Sequence, residues 1–283
     1  MRSGFAYSSL LITALLLAAC GRFGGPEREP WRDAAEARCL KAGGLQPSAY
    51  AEPLKPIRDK LTCGLEHPFR ISGTADGSVA MVPPARMGCP VTAALNYWMK
   101  EVVQPSAFAN FGQPVVAIKN AASYGCRTRN HKVGAKLSEH GFGNALDISA
   151  FILADGRTVT IKRGWRGAPD ERAFLRQVQG GACGPFKTVL APGSDRYHED
   201  HLHLDLARHD AAGKRAYCRP HPQVVASAPQ FQRPAPGYSA QPDGYGQPGP
   251  YATAPMSYAA EPVWPVVLDG PASAGSPDAE EDD

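Results

Sequence analysis

Six cysteines, Cys39, Cys63, Cys89, Cys126, Cys183 and Cys218, are spread through the body of the chain, and no two of them lie closer than 24 residues. A cysteine zinc site wants closely spaced pairs of the C-x-x-C kind, so this spacing argues for three disulfides instead. Such crosslinks persist where the surroundings are oxidising, which places the domain outside the cytoplasm and lets it be rich in loops. The even count leaves the connectivity open.

A seventh cysteine carries a different message. Arg2 precedes an apolar stretch, Leu10 to Ala19, that is too short to span a bilayer and suits the hydrophobic segment of an export signal. It ends Leu17-Ala18-Ala19-Cys20, which resembles the bacterial lipobox. The expectation is a signal over residues 1–19, a lipidated Cys20, and a short linker over residues 20–30. Gly21 stands where an Asp would favour inner-membrane retention, so the expectation is an anchor on the periplasmic side of the envelope, in the outer membrane rather than the inner, a choice the sequence leaves open. Export makes a nucleic-acid partner a poor expectation.

Charge agrees with that address. The net charge of +3 conceals an asymmetry, because residues 222–283 hold eight acidic residues against one basic, Arg233. The tail therefore sums to −7 and the remainder to +10. A basic body suits an anionic envelope polymer. The tail also holds twelve of the 27 prolines, with Gly, Gln, Ala and Tyr between them, and closes on the acidic run Asp278 to Asp283. Such a composition builds no packed core, so disorder is expected there.

About 200 residues remain between linker and tail, enough for one domain, expected over residues 31–221. Pro30 to Ala42 reads as a helix stopped by Gly43-Gly44, and Val91, Ala94, Leu95, Trp98, Met99 and Val102 recur at the helical period behind Pro90. Val115–Lys119, Ala145–Leu153 and Arg157–Lys162 read as strands, the last two joined by a hairpin turn at Asp155-Gly156. A helix over Asp170–Gln179 ended by Gly180-Gly181 follows, then strands at Lys187–Leu190 and His201–Leu206. Helices and strands are segregated, as in an α+β domain.

Two constellations carry chemistry. In Ser138-Glu139-His140-Gly141-Phe142-Gly143-Asn144-Ala145-Leu146-Asp147, a histidine on a Gly-rich loop precedes an aspartate early in a strand, so a turn can aim imidazole and carboxylate at one cation. In His198-Glu199-Asp200-His201-Leu202-His203-Leu204-Asp205-Leu206, polar and apolar residues alternate from His201 onward. On a strand, His201, His203 and Asp205 share one face, while the three leucines face a core. Five of the eight histidines fall between residues 140 and 209. His140, Asp147 and His203 thus supply three ligands with spare acid–base groups beside them, the inventory of a catalytic zinc site with an open position rather than a closed structural one.

The pattern S-E-H-x-x-G-x-A-x-D followed by H-x-H resembles the metallopeptidase group that includes lysostaphin-type enzymes, D-Ala-D-Ala peptidases and the hedgehog signalling domain. His198-x-x-His201-x-His203 is similar to the arrangement in penicillin-insensitive murein endopeptidase. The body, including Cys63-Gly64-Leu65-Glu66-His67-Pro68 and Ser123-Tyr124-Gly125-Cys126-Arg127, resembles the bacterial extensin-like C-terminal domain family. The resemblance implies a small central antiparallel sheet flanked by helices and one Zn²⁺ on His140, Asp147 and His203. It further implies a base or transition-state stabiliser in His201 or Asp200, an additional site histidine in His198, and a substrate-contacting Arg127, with Arg129 as the competing candidate. The implied activity is hydrolysis of a peptide bond in peptidoglycan, either a crosslink or a stem-peptide terminus. A non-catalytic wall-binding lipoprotein, as the hedgehog domain allows, is the alternative, with an amidase or esterase on another envelope amide as a third reading.

Overall fold

A nine-stranded sheet organises residues 28–222, the part of the chain that the computed structural model describes. The segment expected to be an export signal, the expected lipidation site Cys20 and nearly all of the acidic tail lie outside the described residues. The strands are β1 (Ala51–Pro53), β4 (Phe69–Gly73), β5 (Ala80–Met87), β6 (Val115–Ala122), β7 (Ala145–Leu153), β8 (Thr158–Thr160), β9 (Thr188–Leu190), β10 (Leu202–Asp205) and β11 (Tyr217–Arg219), while β2 (Ile57–Arg58) and β3 (Gly64–Leu65) pair apart from them. Their order is β1-β4-β5-β6-β7-β10-β9-β11. One edge of β7 is shared, Ala145–Ile148 pairing with β10 and Ala150–Ile152 with β8. The sheet is larger than expected and mainly antiparallel, with two parallel pairings, β5 with β6 and β9 with β11. The architecture is α+β, as expected.

Proline sets the helix starts. The helices α1 (Pro30–Lys41), α2 (Cys89–Trp98) and α5 (Pro169–Ala182) each carry Pro in the first two positions, where the missing N–H costs no intrahelical bond, whereas Pro105 of α3 (Gln104–Phe111) stands just after a π turn inside a continuous helix. The stripe from Val91 to Val102 is helical throughout, α2 passing through a π turn at Met99–Val103 into α3. Gly112, at φ 69°, ends α3 in the left-handed conformation that glycine adopts freely. Trp98 sits at the centre of the core, wholly buried, its ring 6.1 Å from those of Phe151 and Phe186 and its indole N–H donating to the Val178 carbonyl at 3.0 Å.

Two expectations shift. Gly180-Gly181 lies inside α5 rather than beyond it, because a Cβ on Gly181 would stand 2.4 Å from Val102 Cγ1, so the glycine admits the π segment. The strand expected over Arg157–Lys162 closes at Thr160, whose hydroxyl accepts from Arg163 N and starts the short helix α4 (Ile161–Gly164). Strands β1 to β5 and helix α3 carried no readable pattern. The first three strands are two or three residues long, and β5 contains Pro83-Pro84, which fall at the register break of its ladder with β4 and just beyond its ladder with β6.

All six body cysteines pair, as Cys39–Cys89, Cys63–Cys126 and Cys183–Cys218. Cys39–Cys89 ties α1 to the start of α2, Cys183–Cys218 ties the end of α5 to β11, and Cys63–Cys126 joins two loops. No helix among the described residues is long and apolar enough to cross a membrane.

Candidate metal centre

The β7–β10 ladder puts His203 directly opposite Asp147. Leu202 and Leu204 are wholly buried on the other face of β10, and burying such side chains stabilises by about 1.5–3 kcal/mol each. That burial fixes the alternation, so His203 and Asp205 must face the cleft. The loop before β7, a 3₁₀ turn over Glu139–Phe142, lays His140 over the same spot. His203 Nδ1 is 2.8 Å from Asp147 Oδ1, and His140 Nε2 is 3.1 Å from Asp147 Oδ2 and 3.3 Å from His203 Nδ1. All three residues are buried, with ligand atoms within 4.8 Å of one another, so the group could hold a metal ion.

The remaining ring nitrogens are held as a metal site requires. His140 Nδ1 donates to the Ser123 carbonyl at 2.6 Å, which leaves Nε2 as the lone pair facing the cluster. His203 Nε2 donates to Asp205 Oδ2 at 2.8 Å, and Asp205 Oδ1 accepts from Ala207 N. Ser123 closes β6 just beyond Ala122, which pairs with Asp147. The end of β6, the neighbour of the strand that carries Asp147, therefore orients the third ligand.

Burial alone would raise the Asp147 carboxyl, but the imidazoles of His140 and His203 packed against it hold it well below the usual carboxylate range. Burial likewise works against charge on His203, yet Asp147 and Asp205 clamp the ring from both sides and push it up to about 10. Asp205 is held down by the same partner against its own burial. Metal-free, the cluster thus balances its carboxylates with a proton on His203. A cation that displaces the Nδ1 proton meets two imidazole nitrogens and a carboxylate, a donor set suited to zinc and its neighbours, and the residues fit the group.

Other expected residues gather around this centre in a cleft of about 490 Å³. His198 is buried, its ring 5.2 Å from that of His201 and 5.7 Å from that of His203. Burial and the neighbouring rings depress its basicity against the pull of Asp195, whose Oδ1 lies 2.8 Å from His198 Nδ1. His201 Nε2 is 3.8 Å from Asp147 Oδ2, and its Nδ1 is 2.8 Å from Asp200 Oδ1. Asp200 itself is turned to solvent and meets the centre only through His201. Arg127 Nη2 stands 3.7 Å from Asp147 Oδ2 at the cleft wall. Glu199 lies off the strand in a loop, accepting from Gly193 N.

Asp195, which the pattern did not mark, and Glu139, which stands inside it, complete the arrangement. Asp195 pairs with His198 at an i, i+3 spacing that has no distinctive look in sequence. Glu139 accepts two hydrogen bonds from Arg32 and one from Asn144, so α1 anchors the loop that presents His140.

Neither a curated protein nor a solved structure matches the chain. The family described as Extensin-like protein C-terminus matches residues 37–219, a span that contains every residue of the metal centre and all three disulfides. With well over half of its length matched, the chain belongs to the extensin-like C-terminal family.

Proposed function

We propose that the protein is a zinc-dependent peptidase that hydrolyses a peptide bond in peptidoglycan, held by a lipid on Cys20 to the periplasmic face of the outer membrane. The observation that carries this reading is the convergence of His140, Asp147 and His203 at the floor of a cleft whose walls hold two His–Asp pairs, His198–Asp195 and His201–Asp200. A purely structural site would close its shell and leave no such bases beside it. The resemblance of the His140–Asp147 and His201–His203 patterns to those of lysostaphin-type and D-Ala-D-Ala peptidases supports the same reaction class.

Zinc, when bound, supplies a Lewis acid that polarises a carbonyl and lowers the pKa of water. The chain's own residues do the rest. Asp195 and Asp200 accept from the Nδ1 of His198 and His201, which leaves each Nε2 free to take up a proton at the cleft floor. Low basicity keeps His198 neutral near pH 7, the state a proton acceptor needs. Arg127, on the wall beside Asp147, is placed to hold a substrate carboxylate through its guanidinium fork.

The test is metal content by mass spectrometry, followed on the same sample by digestion of purified peptidoglycan. One zinc per chain with new muropeptides is expected, and the fragment masses name the bond. Zinc without cleavage would shift the assignment to a wall-binding lipoprotein, and protein fully active without metal would overturn the mechanism.

A further inference from the structure

A tongue of chain overhangs the metal cleft. Its base is closed by the bridge between Thr128 and Leu137, with Arg129 N donating to Lys136 O and Ser138 N to Arg127 O. It leaves directly from Cys126–Arg127 and returns directly into the His140 loop, so it is continuous with the metal centre at both ends. From Arg127 to Ser138 it holds Arg127, Arg129, Lys132 and Lys136, with His131, and no acidic residue.

Two features mark it as more than a surface turn. Asn130 and His131 are consecutive non-glycine residues at φ 53° and 55°, a left-handed conformation that side chains disfavour and that persists where surrounding structure holds it. Beyond them, Lys132 Nζ lies 5.7 Å from the ring of Tyr197, which comes from the wall bearing His198 and is covered on its own side by Arg196 at 4.9 Å. The tongue therefore reaches the far wall, and a cation–aromatic contact joins the two sides.

The acids around the cleft are committed elsewhere. Asp195 and Asp200 pair with histidines, Asp147 and Asp205 with His203, and Glu139 with Arg32. Arg129, Lys132 and Lys136 form no ion pair among the described residues, and of these Arg129 lines the cleft and Lys132 reaches its far wall, so these two bring unneutralised positive charge to the rim.

We propose that this tongue is a binding element, that Arg129 and Lys132 are its contact residues, and that its ligand is an extended carboxylate-bearing peptide lying along the cleft. The inference rests on the peptidase reading above and deepens it by naming what the substrate presents beyond the bond that is cut. A guanidinium and an ammonium at the rim match separate carboxylates along a peptide. The exposed carboxylates of Asp195 and Asp200 on the opposite wall repel a densely charged polyphosphate but tolerate a peptide with sparse charge.

The experiment is co-sedimentation of the full, metal-loaded protein with purified peptidoglycan sacculi, native or with their carboxylates amidated, across a salt series in the cold. Fragments released into the supernatant are read from the same tubes, so failure of cleavage and failure of binding are seen separately. The Arg129→Ala/Lys132→Ala double variant is compared with Lys41→Ala/Lys162→Ala, which removes two exposed cations away from the cleft, and thermal melts confirm that both fold. The double variant should bind native sacculi about tenfold more weakly and with a flatter salt dependence, as expected for the loss of two exposed charge contacts. Amidated sacculi should bind wild type as weakly. Equal binding by the double variant and wild type, undiminished binding to amidated sacculi, or competition by inorganic polyphosphate as effective as that by a free stem peptide would each overturn the proposal.

Discussion

Arg32 in α1 and Glu139, the residue before the His140 ligand, are 107 positions apart and joined by hydrogen bonds of 2.7 and 2.9 Å between buried side chains. Phe142 lies under the guanidinium, its ring centre 3.7 Å from Cζ, so the first helix grips the ligand loop by charge and by stacking. Arg32→Ala strands a buried carboxylate and is expected to cost about 3–5 kcal/mol. Metal affinity should fall in parallel, because the loop that aims His140 loses its anchor. Denaturant titration with and without zinc checks both, and a variant as stable as wild type would show that the pair is not what holds the loop.

Asp205→Asn keeps the volume beside His203 and replaces a charged acceptor with an amide. The ring then loses the carboxylate that fixes its orientation and raises its basicity, and zinc affinity should drop about 10–100-fold. His203→Ala should abolish binding outright, since it removes a ligand atom. Competition with a calibrated chelator measures both. Affinity unchanged in Asp205→Asn would separate that residue from the metal centre.

What could be read beforehand divides along physical lines. Strand β7 runs Ala145–Leu153 with the bounds expected, because a long strand buried on both faces is apolar at nearly every position, here at all but Asp147 and Ser149. His203 and Asp147 were legible as partners of one cation because alternation with leucine fixes which way a strand residue points. The pairing of the cysteines was not, since a sequence separation of 35 to 63 residues carries no distance. Arg32 to Glu139 and Asp195 to His198 were hidden for a related reason. Their partners are chosen by how helix α1 and the loop before β10 dock, and docking leaves no periodic trace in the chain.

Zinc uptake should release a proton. His203 in the metal-free cluster is pushed up to about 10 by Asp147 and Asp205 against its burial, so it is protonated at pH 7 and the ion must displace that proton. Affinity should weaken about tenfold for each pH unit of acidification until other ligands titrate. The sign for folding is opposite. A raised histidine contributes stability that is complete below its ordinary value of 6.5 and is lost as pH rises through about 10, so the metal-free protein should soften on the alkaline side. Calorimetry in buffers of different ionisation enthalpy counts the proton, and thermal melts with chelator across pH test the second part.

Gly141 follows the His140 ligand and lies against the Cys63–Cys126 disulfide, where a Cβ would stand 2.7 Å from Cys63 Sγ. Gly125 N, next to Cys126, donates to the His140 carbonyl at 3.2 Å, so the crosslink supports the ligand loop from beneath and through the neighbouring backbone. Gly141→Ala forces the loop off the sulfur and is expected to cost about 1–3 kcal/mol, with weakened zinc binding. Cys63→Ser/Cys126→Ser should cost about 2–5 kcal/mol and weaken zinc binding too. Cys183→Ser/Cys218→Ser, which frees α5 from β11 and touches no ligand loop, should lower stability yet leave zinc affinity close to wild type. Comparing the two double variants at matched stability, by adjusting temperature, isolates the local effect. Equal zinc affinity in both would mean that the disulfide beneath Gly141 contributes only to global stability and not to the aim of His140.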